Sequence, residues 1–184
     1  MKMDIRKLTR TSLLLALAIV FQIIGRAYPI LSQFFVGPMV NTIFIVCLIM
    51  NGLGWSVLVA MLTPVLAWSL GQLPQPLGPI IPVIALGNIT FIIVFHFGRK
   101  LIKREMLLTD LVSVICAAFL KFCVIFFGVK SLLKLLSLTQ QAEKAATKLM
   151  GINQFITAFA GGIIALAIVK LIKNRLKGQM NTSV

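Results

Sequence analysis

Lys121 is the residue whose placement most needs a chemical explanation. It lies within the apolar stretch LVSVICAAFLKFCVIFFGV, with Ser113, Ala117 and Gly128 at helical intervals along the same side. A charged side chain near mid-bilayer costs about 2.5–3.5 kcal/mol on insertion scales. The cost is met by a counter-charge, or avoided if the long stem snorkels the ammonium to an interface. The chain offers no counter-charge at that depth: its carboxylates are Asp4, Glu105, Asp110 and Glu143, all at span ends or in a loop. A carboxylate on a bound ligand would serve. Asn88, in the stretch GQLPQPLGPIIPVIALGNITF, reaches a similar depth from an antiparallel span. It either adds a hydrogen bond to the ligand or bonds a neighbouring helix.

The remaining polar residues gather in the same half of the spans. Arg26, Tyr28, Gln33, Asn41, Trp68, Gln72, Asn153 and Gln154 complete the expected substrate-binding set, with Gln22, Gln75 and Thr157 nearby. Tyr28, Trp68 and Phe91 offer rings for a ligand, although Trp and Tyr also anchor spans at membrane interfaces. The other half has much less, with Ser12, Asn51, Ser56 and His96 near helix ends.

No catalytic or metal constellation accompanies this set. His96 is the lone histidine, and Cys47, Cys116 and Cys123 have neither metal-ligand nor redox spacing. There is no Gly-rich nucleotide loop and no mid-span acid of the kind ion-coupled carriers keep. These absences argue against an enzyme and against a cofactor or metal in this chain, so any active transport draws its energy from another subunit.

The elements that must position these residues are membrane helices. The 184-residue chain is 59% hydrophobic, with 12% charged residues and a mean hydropathy of +1.03. A span needs about 20 apolar residues, and runs of that order cover 9–25, 35–51, 54–71, 79–98, 107–129 and 152–172. The expected fold is an all-α integral membrane protein of six transmembrane helices, one domain over residues 1–184, with no cleavable signal peptide. Lys2, Arg6, Lys7, Arg10, Arg99, Lys100, Lys103, Arg104, Lys170, Lys173, Arg175 and Lys177 fall on one side of such a bundle. The positive-inside rule makes that side, and both termini, cytoplasmic. The formal charge of +14 therefore reads as a topology signal beside lipid rather than a nucleic-acid surface.

Two connections stand out. Pro74, Pro76 and Pro79 predict a stiff, extended entry to the fourth span, and Pro82 a kink that frees the Gly78 carbonyl. Residues 130–150 space leucines helically among lysines, which suits a short amphipathic helix in the last outer loop, or else a solvated linker.

The segments RKLTRTSLLLALAIVFQ, FVGPMVNTIFIVCLIMNGLGW and GQLPQPLGPIIPVIALGNITF resemble the substrate-binding subunits of energy-coupling-factor (ECF) vitamin transporters, and the likeness runs over nearly the whole chain. The resemblance implies a multi-pass protein of a prokaryotic plasma membrane that captures a micronutrient from outside. Its partners would be a transmembrane coupling subunit and two ATPase subunits, which use the ATP. Toppling of the whole subunit in the bilayer would then release the ligand inside. The family's docking face carries an Ala-x-x-x-Ala pattern on the first helix; here it reads Ser12-x-x-x-Ala16, different in identity but similar in size. Small residues four apart let helices approach closely.

The alternative is an autonomous channel or facilitator, which needs a polar path through the inner half. A lipid-modifying enzyme or an assembly protein has less support from these residues. For a binding subunit, the unpaired cations favour an acid such as pantothenate, nicotinate, lipoate, biotin or folate, without choosing among them.

Overall fold

Helix ends in this chain coincide with its breakers and caps. The structure, a computed structural model, describes residues 4–28, 32–101, 107–135 and 140–181. Helix α1 spans Ile5–Ala27, and the Asp4 carboxylate caps its first turn by accepting from the Arg6 N–H. A π-helical turn, Ser32–Val36, leads into α2, Gly37–Asn51, with Pro38 in its first turn, where a missing N–H costs nothing. Gly52, at φ +98°, turns the chain straight into α3, Leu53–Ser69. The segment NGLG, residues 51–54, thus forms a tight hairpin between α2 and α3, built on a backbone angle that glycine tolerates.

A 3-10 turn, Gln75–Ile80, precedes α4, Ile81–Leu101. Then come α5, Leu107–Leu135, α6, Gln140–Met150, and α7, Asn153–Asn181. Among the described residues, five helical segments are long and apolar enough to cross a membrane, and α3 is a shorter apolar helix. The protein is an all-α integral membrane protein, with no strand among the described residues.

Two expectations need correction. The proline-rich entry is extended at Pro74 (φ −54°, ψ 137°) but then winds into the 3-10 turn. Pro82 sits in the first turn of α4, so it forces no kink, and the Gly78 carbonyl accepts the Ile81 N–H instead of standing free. Residues 130–135 are not part of a surface helix, because α5 runs on through them; the amphipathic element is α6 alone.

Helix α2 is the hub. It packs along α7 and touches α1, α3 and α4, and 61% of its span is buried inside the protein, against 22% for α1. In lipid, apolar side chains gain little by leaving the solvent, so close packing and interhelical hydrogen bonds hold such a bundle. The α2–α7 seam shows both. A Cβ on Gly161 would run into the Pro38 carbonyl and Asn41, and one on Gly37 would meet Thr157 at 2.8 Å. Thr42 Oγ1 lies 2.9 Å from both the Pro38 and Gly161 carbonyls and can donate to either. Gly87 lets Ile125 and the Lys121 backbone close on α4 in the same way. At the other end of the bundle, Asn51 Nδ2 donates to Thr11 Oγ1 at 2.9 Å and Arg99 pairs with Asp110 at 2.6 Å.

The seam yields a test. Gly161→Leu should push α2 off α7 and destabilise the bundle by about 1–3 kcal/mol or more, read as a lower unfolding temperature in detergent. Gly54→Leu, where nothing lies within 4 Å, should leave that temperature nearly unchanged.

Candidate functional site

A cavity of about 160 Å³ opens at the end of the bundle away from both termini. Its construction begins with Pro64, inside α3. Proline has no N–H, so the Ala60 carbonyl one turn back lacks its helical partner. Asn88 Nδ2 reaches that carbonyl from α4 at 3.4 Å, as does Thr63 Oγ1 at the same distance. Gln22, from α1, donates Nε2 to the Thr63 carbonyl at 3.0 Å. Three helices thus meet around one proline-disturbed turn, and Gln22, Thr63, Pro64 and Asn88 all line the cavity.

Opposite them stands Lys121, at the middle of α5 and only 3% exposed. Its ammonium does not rise to an interface. It donates to Asn41 Oδ1 at 2.6 Å and lies over the faces of Phe44 and Phe91, at 5.8 and 5.6 Å. Asn41 is itself aimed, because its Nδ2 donates to the Gly37 carbonyl at 2.8 Å, leaving Oδ1 for the lysine. The companions Ser113 and Ala117 are buried with it, and a Cβ on Gly128 would strike Val83 of α4. That side of α5 faces the bundle, not lipid.

The mouth is built by the α6–α7 corner. Asn153 Nδ2 donates to the Lys148 carbonyl and Gln154 Nε2 to the Leu149 carbonyl, each at 3.1 Å. These bonds satisfy carbonyls left over at the end of α6. Leu149 and Met150 of α6 line the cavity beside them, with Gln72 on the approach to the 3-10 turn. The amphipathic helix therefore covers the site with its apolar side, where Ala146 and Met150 are buried.

Of the expected set, Asn41, Gln72, Asn88, Lys121, Asn153 and Gln154 converge on this cavity. Arg26, Tyr28 and Trp68 are not among its lining residues. The exposed Arg26 side chain lies beside Gly71, and Tyr28 is 62% exposed. Trp68 is spent on the fold: its indole N–H donates to the Gln75 carbonyl at 3.1 Å, Gln75 Nε2 returns a bond to the Trp68 carbonyl, and the ring covers Gly78. The Gln33 side chain lies outside the described residues. The lining also includes Gln22 and Thr157, which the sequence placed near the expected set, and Thr63, which it did not single out. Thr63 had a readable signal, since it directly precedes the mid-span Pro64. No carboxylate is among the lining residues.

A family model described as the substrate-specific component of ECF transporters matches residues 6–173. No curated protein and no solved structure matches the chain.

The Pro64–Asn88 arrangement makes its own prediction. Asn88→Leu should destabilise the protein by about 1–3 kcal/mol, the cost of weakening the bonding of a buried carbonyl. In a Pro64→Ala background the restored N–H serves Ala60, and the same change should cost much less. Equal losses in both backgrounds, measured by thermal unfolding, would show that Asn88 does not serve that carbonyl.

Proposed function

The chain belongs to the substrate-specific components of ECF transporters, and from that premise we propose that its cavity captures a small carboxylate-bearing micronutrient from outside the cell. Proteins of this kind are transport subunits that work with an ECF module rather than enzymes. The observation that carries the proposal is Lys121: a nearly fully buried ammonium, in a cavity lined by no carboxylate, held only by neutral groups. Contact with a ring face contributes about 0.5–2 kcal/mol to a cation, and a neutral acceptor adds a hydrogen bond. Those terms make the lysine tolerable without cancelling its charge. A ligand carboxylate completes the pair, and a hydrogen bond to a charged group contributes roughly 1.5–3 kcal/mol.

The cavity floor disfavours the channel reading. Phe44, Phe91 and Phe95 continue α2 and α4 toward the terminal end of the bundle, and each is 0% exposed. Farther along, Ser56 Oγ donates to the Phe44 carbonyl at 2.7 Å and Ser113 Oγ to the Thr109 carbonyl at 2.8 Å. The basic clusters near the helix ends support placing the termini in the cytoplasm, so the cavity faces outward.

Docking follows from α1, the least buried span. Ser12 and Ala16 are both exposed, on a face flanked by Leu13 at 66% and Leu17 at 44% exposure. That face would meet the transmembrane coupling subunit, which two ATPase subunits energise.

Two experiments separate these roles. The small molecule that co-purifies with the subunit is identified by mass spectrometry, then titrated against wild type and Lys121→Met. Affinity should fall by about ten- to a hundred-fold. Lys121→Arg should also bind poorly, because a planar guanidinium needs different geometry from a compact ammonium. Unchanged affinity in Lys121→Met would remove the case for an acid. Ala16→Trp should abolish co-purification with the coupling subunit while ligand affinity stays at the wild-type value, and normal assembly would refute the assigned face.

A further inference from the structure

The cavity carries information about the rest of the ligand as well as its acidic end. Its apolar wall is aliphatic, made by residues such as Val36, Val40, Leu73, Ile84, Leu149 and Met150. No Phe, Tyr or Trp is among the lining residues. The aromatic groups nearest in sequence are committed elsewhere: Phe44 and Phe91 face the Lys121 ammonium, Trp68 lies on Gly78, and Tyr28 is largely exposed. A flat aromatic ligand is ordinarily gripped between ring faces, which supply energy beyond area burial. Nothing of that kind is offered here.

The polar groups are also unevenly divided between donors and acceptors. The deep end presents the Lys121 ammonium, a donor with no acceptor capacity, and across from it the buried, unpartnered Oε1 of Gln22. At the mouth, the amide nitrogens of Asn153 and Gln154 are committed to the Lys148 and Leu149 carbonyls. A carboxamide nitrogen carries two N–H donors, so Asn153 keeps one of them beside its carbonyl oxygen, whereas Gln154, whose Nε2 also lies 3.6 Å from Met150 Sδ, has its oxygen left to offer. Both residues line the cavity, so the mouth has carbonyl oxygens to offer a ligand. The site therefore has a cationic donor at its deep end and amide oxygens at its mouth, with an aliphatic sleeve between.

We propose that the ligand is a compact, non-aromatic acid. Its carboxylate pairs with Lys121, and its far end carries hydroxyl or amide N–H donors that meet the carbonyl oxygens of Asn153 and Gln154. This rests on the carboxylate reading of the same cavity and adds the shape, the polarity and the orientation of the molecule in it. Of the acids compatible with the sequence, pantothenate and biotin have this character. Nicotinate and lipoate lack the donors, and nicotinate and folate are built on flat aromatic rings.

The probe is a deproteinised yeast extract passed over the immobilised full-length subunit in detergent, with the retained molecules identified by mass spectrometry. Retention of a non-aromatic acid with hydroxyl or N–H donors is the expected result. An aromatic acid, or an acid without donors, overturns this inference and leaves the carboxylate reading standing. A retained molecule with no carboxylate overturns both, as does no retention above a Lys121→Met control. The second measurement titrates the retained acid against a derivative methylated at its donor atoms. Wild type should bind the derivative about tenfold or more weakly, because a site built around a ligand donor rejects the analogue lacking it. Gln154→Met, and separately Asn153→Ala should the first not fold, should bind parent and derivative within about twofold of each other. If these residues only hold the end of α6, parent and derivative weaken in parallel and the wild-type preference survives, which refutes the proposed contact.

Discussion

An ammonium fixed at the middle of a membrane helix is the constraint around which this bundle is arranged. Lys121 cannot be left to lipid, and a cavity in the bundle is where a charge is tolerated. Holding it there needs an acceptor at the right place on another helix, which Asn41 supplies at 2.6 Å. Asn41 is in place because α2 lies hard against α7, and that approach exists because position 161 has no side chain. The aromatic faces of Phe44 and Phe91 lie one turn farther along α2 and α4. The contact that determines the chemistry and the glycine seam that determines the packing are thus parts of one arrangement.

Much of this was legible in the chain, for reasons that depend on depth. In a bilayer, sequence position along a span translates almost directly into height, at 1.5 Å per residue. Lys121 and Asn88 could therefore be placed at one depth, and Asn41 in the same half of the spans, without knowing which helices touch. Rotation about the helix axis was harder to read. Whether Arg26 or Trp68 points to the cavity depends on which neighbour each meets, and both found partners in the connection after α3: Gly71 for the arginine, Gln75 and Gly78 for the tryptophan. The proline run misled for a related reason. Each proline restricts its own φ and its predecessor, but φ near −60° suits a 3-10 turn as well as an extended segment. The helix that followed decided between them.

The role of Asn88 shows that two readings of a buried amide need not exclude each other. Its nitrogen serves the carbonyl that Pro64 leaves open, so it is a structural bond between α3 and α4. The residue also lines the cavity beside Lys121. A proline in a spanning helix is tolerated where neighbouring groups satisfy the freed backbone. Here the residue that performs that repair also forms part of the wall, so the irregularity in α3 and the polarity of the site have a common origin.

The floor beneath Lys121 bears on how a ligand would leave toward the termini. Phe44, Phe91, Phe95, Val114 and Ala117 are packed there, each at 0% exposure. Emptying even one buried Phe position typically costs about 3–5 kcal/mol, and a path for a charged solute would have to part several at once. It would also need polar partners for the ligand along the way, and the Ser56 and Ser113 hydroxyls and the Asn51 amide nitrogen farther down are already bonded. Reorientation of the whole subunit, as the family resemblance implies, would leave every one of these contacts intact. Its cost would fall on the lipid-facing and docking surfaces instead. Helix α1 has the geometry for that role, since its buried Gln22 bonds into the cavity wall while its exposed residues near Ser12 and Ala16 lie toward the other end. A closed floor and a mostly uncovered first helix are what a carrier needs if it moves as a body rather than opening a pore.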